Sequence, residues 1–292
     1  MGTDTKSLLI VAIIRIVAGG MLLYGIVCLL MFYQQDRLLF ITREVSTHRL
    51  NRVNEMETPV EEAWIVAEDG TRLHGWWVNK PSGLSQNLQR IVLYYGGNAE
   101  EVSHMMEEAA TFTRWSFLLM NYRGYGLSEG EPSEKLLYGD ALTIYDHVME
   151  ELSEKEYQLV VMGRSLGAGV ASYVARHRSA DAAILISPYD SMVEVAREAY
   201  PWMPVRLLLR HRFEAERHAP YVKIPLYALV ASDDEIISRD RAWRFLNQWG
   251  GDVHAQEVSG VGHNQLMATE AYHRFIHDSF RDIINQNTNN NP

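Results

Sequence analysis

The residues with the clearest chemical potential in this chain sit around one serine. Gly163-Arg164-Ser165-Leu166-Gly167 follows the apolar run Leu159-Val160-Val161-Met162 and leads into the small residues Ala168, Gly169 and Ala171. The pattern G-x-S-x-G between a strand and a helix is a nucleophile elbow, with the serine at the apex of a tight turn. The glycines are required because the turn is strained and neighbouring backbone comes close to Ser165. A serine hydroxyl is a weak nucleophile until a base takes its proton, and histidine is the usual base. Of eleven histidines, His263 is best placed, in Ser259-Gly260-Val261-Gly262-His263-Asn264 just before the last helical pattern. An acid should orient that imidazole and stabilise its charged form. Asp233 and Asp234 follow the apolar run Leu226 to Val230, and Asp190 follows the run Ala182 to Ser187. Any of the three could serve. The order serine, Asp233 or Asp234, then histidine, each just past a strand, is hard to reach by chance.

Acyl transfer also needs donors for the developing oxyanion. The backbone N–H of Leu166, directly after the serine, supplies one. The second is assigned to the N–H of Asn98 in Gly96-Gly97-Asn98-Ala99, where glycines permit close backbone approach. Losing one such donor typically costs ~3 kcal/mol of transition-state stabilisation.

The elements that must hold these groups alternate. Strands are expected at Val60 to Ala67, Arg72 to Val78, Ile91 to Tyr95, Phe117 to Asn121, Leu159 to Met162, Ala182 to Ser187, Leu226 to Ala231 and His254 to Val258. Asp69-Gly70 between the first two marks a hairpin. Helices are expected at Glu100 to Phe112, Glu134 to Leu152, after the elbow, at Arg239 to Trp249 and from Gln265 to about Ile284. Pro81 to Gln89 reads as a polar loop. Such alternation gives an α/β fold, a mostly parallel sheet with helices on both faces and an antiparallel edge. Sites in such sheets lie beyond the carboxyl ends of the strands, where every candidate above falls. Tyr189 to Tyr221, with Pro201, Pro204 and the apolar-basic run Val205 to Arg212, is too long for a simple connection and reads as a cap.

The N-terminus is a separate object. Leu8 to Phe32 is almost unbroken apolar sequence with one charge, Arg15. At ~1.5 Å per residue it is long enough to cross a ~30 Å hydrocarbon core. No A-x-A cleavage site follows it, so a retained single-pass anchor is expected. Arg37, Arg43, Arg49 and Arg52 lie on its C-terminal side against Lys6 on the other, which favours a cytoplasmic catalytic domain. The expected organisation is an anchor at 1–33, a polar juxtamembrane connector at 34–59, a catalytic domain at 60–284 with its cap at about 189–221, and a disordered Asn-rich tail at 285–292. A net charge of −10 argues against nucleic acid as a partner, and the single cysteine, Cys28, excludes an intrachain disulfide.

Taken together, these residues resemble the α/β-hydrolases, in the BEM46-like, ABHD13-type branch of membrane-anchored serine hydrolases. The likeness is carried by Tyr33-Gln34-Gln35-Asp36-Arg37-Leu38-Leu39-Phe40, Gly97-Asn98-Ala99, Asn121-Tyr122-Arg123-Gly124-Tyr125-Gly126 with Ser128-Glu129-Gly130, the elbow, and Gly262-His263. It runs from about residue 30 to 280. The resemblance implies an α/β-hydrolase fold with a short helical cap, and a Ser165-His263-Asp234 triad acting on a carboxylic ester or thioester. It requires no metal or organic cofactor. The family spacing Gly-x-x-Asp-x-x-Val, matched by Ala231, Asp234 and Ile237, is what selects Asp234 over Asp233. Arg123 and Tyr125 are expected to brace and pack the site. The family has His-Gly-Asn where this chain has Gly96-Gly97-Asn98, which implies a looser loop or an altered substrate fit. The anchor and cap point to lipid or acylated substrates. A peptidase of the same fold and a non-catalytic membrane scaffold are the alternatives.

Overall fold

A computed structural model describes residues 2–81, 88–152 and 156–290. Most of the expected loop at 81–89 lies outside the described residues. The strands are β1 (Val60–Val66), β2 (Arg72–Val78), β3 (Gln89–Tyr95), β4 (Ser116–Met120), β5 (Tyr157–Arg164), β6 (Ala182–Ile186), β7 (Leu226–Ala231) and β8 (Val253–Val258). They form one sheet in the order β1-β2-β4-β3-β5-β6-β7-β8. β1 and β2 form an antiparallel hairpin, and β2 pairs antiparallel with β4. From β4 to β8 every pairing is parallel. The hairpin turn closes as its sequence requires: Gly70 takes φ 86°, and Asp69 Oδ1 accepts from Thr71 N at 3.0 Å.

The central strands are buried on both faces, so they read as continuous apolar runs. Their side chains nevertheless alternate between two cores. Leu159 and Val161 of β5 join one, with Ile91 and Leu93 of β3. Val160 and Met162 join the other, with Val92 and Tyr94. The first core is covered by α4 (Glu134–Glu151), α5 (Leu166–His177) and α8 (Arg239–Leu246). The second is covered by α3 (Met106–Thr111) and α9 (Glu270–Asn290), through Met106, Phe275, Ile276 and Phe280.

Several helix bounds differ from expectation. The segment expected as one helix from residue 100 begins as a 3-10 turn, Val102–Met105, capped by Glu101. The last helix is preceded by a 3-10 turn, Leu266–Ala268, because Thr269 takes an extended conformation and its Oγ1 accepts from Tyr272 N at 3.1 Å. α9 then continues to Asn290, so the expected disordered tail is helical over 285–290. Gln286 Nε2 donates to Tyr227 Oη at 3.2 Å and holds that end on the sheet. Residues 291 and 292 lie outside the described residues.

The cap contains α6 (Met192–Ala199), α7 (Val205–Leu208) and two 3-10 turns, Ala215–Arg217 and Ala219–Tyr221. Its return is fixed by Glu134, whose carboxylate accepts from Arg212 N at 2.7 Å and from Phe213 N at 2.8 Å.

The largest departure is at the N-terminus. α1 runs Gly2–Leu39, and an apolar window within it has mean hydropathy 2.3. At ~1.5 Å per residue its 38 residues measure about 57 Å, well beyond a ~30 Å hydrocarbon core. Residues 34–39, expected in a polar connector, are instead its last turns and dock on the cap. Gln35 is buried; its Nε2 donates to Leu208 O at 3.1 Å and its Oε1 accepts from Arg210 N at 2.7 Å. Asp36 pairs with Arg210 and His211, each at 2.9 Å. The polar residues read as a linker are polar because they bond to the cap. The remainder of the connector holds α2 (Thr47–Asn54), capped by Ser46.

Candidate active site

β5 delivers Ser165 to the turn before α5. Ser165 has φ 51° and ψ −118°, a strained conformation for a residue with a side chain. The flanking glycines are sterically compulsory. A Cβ on Gly163 would lie 2.2 Å from Gly167 O, and one on Gly167 would lie 2.0 Å from Tyr95 O. The turn is pinned by Ser165 N donating to Ile186 O at 2.8 Å. Leu166 begins α5, so its N–H is one of the orphan donors of a helix N-terminus.

His263 and Asp234 meet. Asp234 Oδ2 lies 2.7 Å from His263 Nδ1, and both side chains are at most 4 % exposed. The other carboxylate oxygen, Oδ1, accepts from Ile237 N at 2.7 Å and Ile236 N at 3.0 Å. Burial pushes this carboxyl up, but the His263 hydrogen bond and charge and the two backbone donors outweigh it and hold Asp234 below its ordinary value. An ionised carboxylate can only accept, so Nδ1 is the donor, and in the neutral form of the imidazole Nε2 carries the lone pair. The histidine loop is fixed from the same acidic run: Glu235 Oε2 accepts from His263 N at 2.9 Å. Asp233 is exposed and accepts from the Ser232 hydroxyl at 2.8 Å. Asp190, the other candidate acid, is occupied elsewhere, pairing with Arg241 at 2.9 Å.

The loop after β3 is held by groups that the sequence reading missed. Glu100 Oε2 accepts from Gly97 N at 2.7 Å and from Arg164 Nη1 at 3.1 Å, and Oε1 accepts from Tyr94 Oη at 2.5 Å. Arg164 Nη2 reaches Asn264 Oδ1 at 3.3 Å. Arg164 precedes the serine and Asn264 follows the histidine, so this network ties three loops together. Gly96 O accepts from Tyr122 Oη at 2.9 Å. The absent imidazole therefore leaves no loose loop, because Glu100 and Tyr122 restrain it. Asn98 uses its side chain as a clasp, its Oδ1 accepting from Ile41 N and Tyr125 Oη at 3.0 Å each and from Ala99 N at 2.9 Å.

Arg123 is a brace, as expected. It grips Asp140 with Nε at 2.7 Å and Nη2 at 2.5 Å, and Asp69 with Nη1 at 2.9 Å. Tyr125 is fully buried but does more than pack, since its hydroxyl holds Asn98. Among the described residues, no group of three or more His, Cys, Asp and Glu side chains is arranged to hold a metal ion. A carboxylate-bound imidazole on a loop tied to a strained serine turn has the residue types that acyl transfer requires.

Comparison with known proteins bears on the family and the fold. A family model described as "Serine aminopeptidase, S33" matches residues 86–213. An uncharacterized Mycobacterium tuberculosis protein, Rv2307c, is 30 % identical over 261 residues, covering 89 % of this chain and 89 % of that protein. A zebrafish (Danio rerio) protein named lysophosphatidylserine lipase ABHD12 is 25 % identical over 258 residues, covering 74 % of this chain and 65 % of its own. Among solved structures, the Pyrococcus furiosus esterase Pf2001 superposes with a TM-score of 0.64 at 14 % identity, over 84 % of this chain and 96 % of the esterase. That likeness is one of fold. With its eight-stranded sheet, its serine elbow and these relatives, the chain belongs to the α/β-hydrolase superfamily.

Proposed function

We propose that this hydrolase is a membrane-anchored serine esterase that cleaves carboxylic esters or thioesters through Ser165, His263 and Asp234. The observation that carries the reading is the buried 2.7 Å pair between His263 Nδ1 and Asp234 Oδ2, on a loop linked through Asn264 and Arg164 to the serine turn. His263 Nε2 takes the Ser165 proton as Oγ attacks the carbonyl carbon. The N–H groups of Leu166 and Asn98 hold the oxyanion. The tetrahedral species expels the alcohol or thiol, which receives the proton from His263. Water, deprotonated by His263, then releases the acid from the acyl-serine. Asp234 keeps the imidazole in the tautomer that leaves Nε2 free and stabilises the imidazolium. A lipid or acylated substrate is favoured by the apolar helix α1 and by the lipase among the relatives.

The description of the matching family favours a second reading, a peptidase of the same fold. A matched pair of substrates, one acyl group on an alcohol and on an amine, separates the two. The ester reading expects turnover of the ester with no detectable cleavage of the amide, and enzymatic cleavage of the amide would refute it. Arg37 in the last turn of α1 and Arg43, Arg49 and Arg52 beyond it favour a cytoplasmic catalytic domain. Protease added to intact cells should then leave the domain whole, and digestion there would reverse the orientation.

A further inference from the structure

The last turns of α1 do more than dock. With the cap and the acid loop they line a half-open apolar cavity of about 270 Å³. Phe32 and Leu39 of α1 form one wall, Val195 and Ala196 of α6 and Leu208 of α7 another, and Ile236 closes the side toward the acid. The cavity adjoins the candidate site through neighbours of its residues, Ile236 and Leu39. Ile236 N is one of the two backbone donors to Asp234 Oδ1. Two residues beyond Leu39, Ile41 N donates to the side chain of Asn98. A chain occupying this space would have one end beside the loop that carries Asp234.

The other side of the cavity belongs to the membrane. Tyr24 lies inside the apolar run, eight residues or ~12 Å along α1 from Phe32. Its hydroxyl donates to Trp202 O at 2.9 Å and its ring meets the Trp202 ring edge-on at 6.4 Å. The cap therefore leans along α1 to a level within the apolar run. There it presents Trp202, 53 % exposed, and elsewhere on its surface Leu207, 84 % exposed, which in water would be an unfavourable surface. Aromatic residues beside a spanning helix belong at the hydrocarbon–headgroup boundary.

We propose that this cavity is the acyl-chain site of the enzyme, filled sideways from the leaflet by the hydrocarbon tail of a membrane-borne ester. It rests on the ester-hydrolase reading and adds the part of the substrate that the triad does not recognise. The anchor helix is then part of the substrate site. It provides a wall continuous with the lipid, so a tail moves from bilayer to cavity without crossing water. Each methylene that enters should raise kcat/KM about fourfold until the cavity is full.

Two readouts test this on the full-length protein. In the first, the protein sits in phosphatidylcholine vesicles containing a diazirine-bearing palmitic acid and is irradiated, and adducts are mapped by mass spectrometry. Adducts are expected on the Met192–Ala199 peptide, falling at least fivefold in Ala196→Trp, which fills the cavity. In the second, p-nitrophenyl esters from acetate to dodecanoate are compared in detergent. The ratio of kcat/KM for dodecanoate over acetate should fall at least tenfold in the same variant. Ala199→Trp, at an exposed position lining the cavity, provides the same test if Ala196→Trp does not fold. Adducts absent from that peptide, adducts unchanged by both variants, or an unchanged ratio would overturn the proposal. Adducts that appear and fall as expected in a protein that turns over no ester would support the acyl site and overturn the ester reading instead.

Discussion

Changing Asp234 to asparagine isolates the contact on which the proposed chemistry depends. In the folded chain Oδ1 accepts from Ile236 N and Ile237 N, while Oδ2 faces His263 Nδ1 at 2.7 Å. In Asp234→Asn the amide oxygen is expected to stay with the two backbone donors, since the NH₂ group cannot accept from them. The NH₂ group then points at Nδ1, which must become the acceptor. The imidazole proton moves to Nε2, and the nitrogen facing the serine can no longer take its proton. A wrong tautomer of this kind is worth ~10⁴ in kcat, or ~5 kcal/mol. Asp233 is the internal control, being exposed and one residue away. Asp233→Asn should change kcat by no more than about twofold. The assay is kcat on a water-soluble ester, with circular dichroism confirming that both variants fold. Equal losses in the two variants, or a larger loss in Asp233→Asn, would refute the assignment of Asp234 and the tautomer argument together.

Two further changes probe the framework. Removing residues 1–23 should leave the domain folded, whereas removing 1–41 deletes the Gln35 and Asp36 bonds to the cap, the buried Phe40 ring and the Ile41 clasp on Asn98; the longer truncation should lose at least ~3 kcal/mol in thermal or denaturant unfolding, and equal stability of the two would show that α1 docks without consequence. His218, packed among Tyr138, Tyr173 and His177, is pulled from 6.5 down to about 4 by burial and then by His177, Arg176 and Arg217, against an opposing Glu214. It stays neutral in the folded chain while the unfolded chain takes up a proton below 6.5, so stability should fall as pH drops from 6.5 toward 4. The loss should be about 1–2 kcal/mol after solvent screening. Unfolding of His218→Gln at pH 7 and pH 4.5 should show that much less pH dependence, and an unchanged slope would remove His218 from the account.

What could be read from the sequence divides along a physical line. The sheet and its flanking helices were legible because buried parallel strands are short apolar runs and their helices repeat at 3.6 residues; β2, β7 and α4 fall within a residue of expectation. Ser165 and the glycines around it were legible because the elbow admits no Cβ at Gly163 or Gly167. Asp234 was selectable over Asp233 only through the family spacing, since composition cannot tell which of two adjacent carboxylates turns inward. The docking of α1 was not legible. Gln35 and Asp36 look like solvent-facing residues until the partners Leu208, Arg210 and His211 arrive from about 175 positions later in the chain. The Glu100–Arg164–Asn264 network was hidden for the same reason, although a glutamate directly after Gly96-Gly97-Asn98-Ala99 and an arginine inside the elbow were its traces. Polar contacts across the fold leave no period in the sequence, whereas apolar burial does.

The central claim is that Ser165 is the nucleophile, and covalent trapping tests it most directly. Full-length protein in detergent is treated with a fluorophosphonate, and the adduct is located by mass spectrometry of its peptides. The account expects one adduct, on Ser165, and loss of both labelling and ester turnover in a folded Ser165→Ala variant. Labelling on another residue, or turnover that survives in Ser165→Ala, would contradict it.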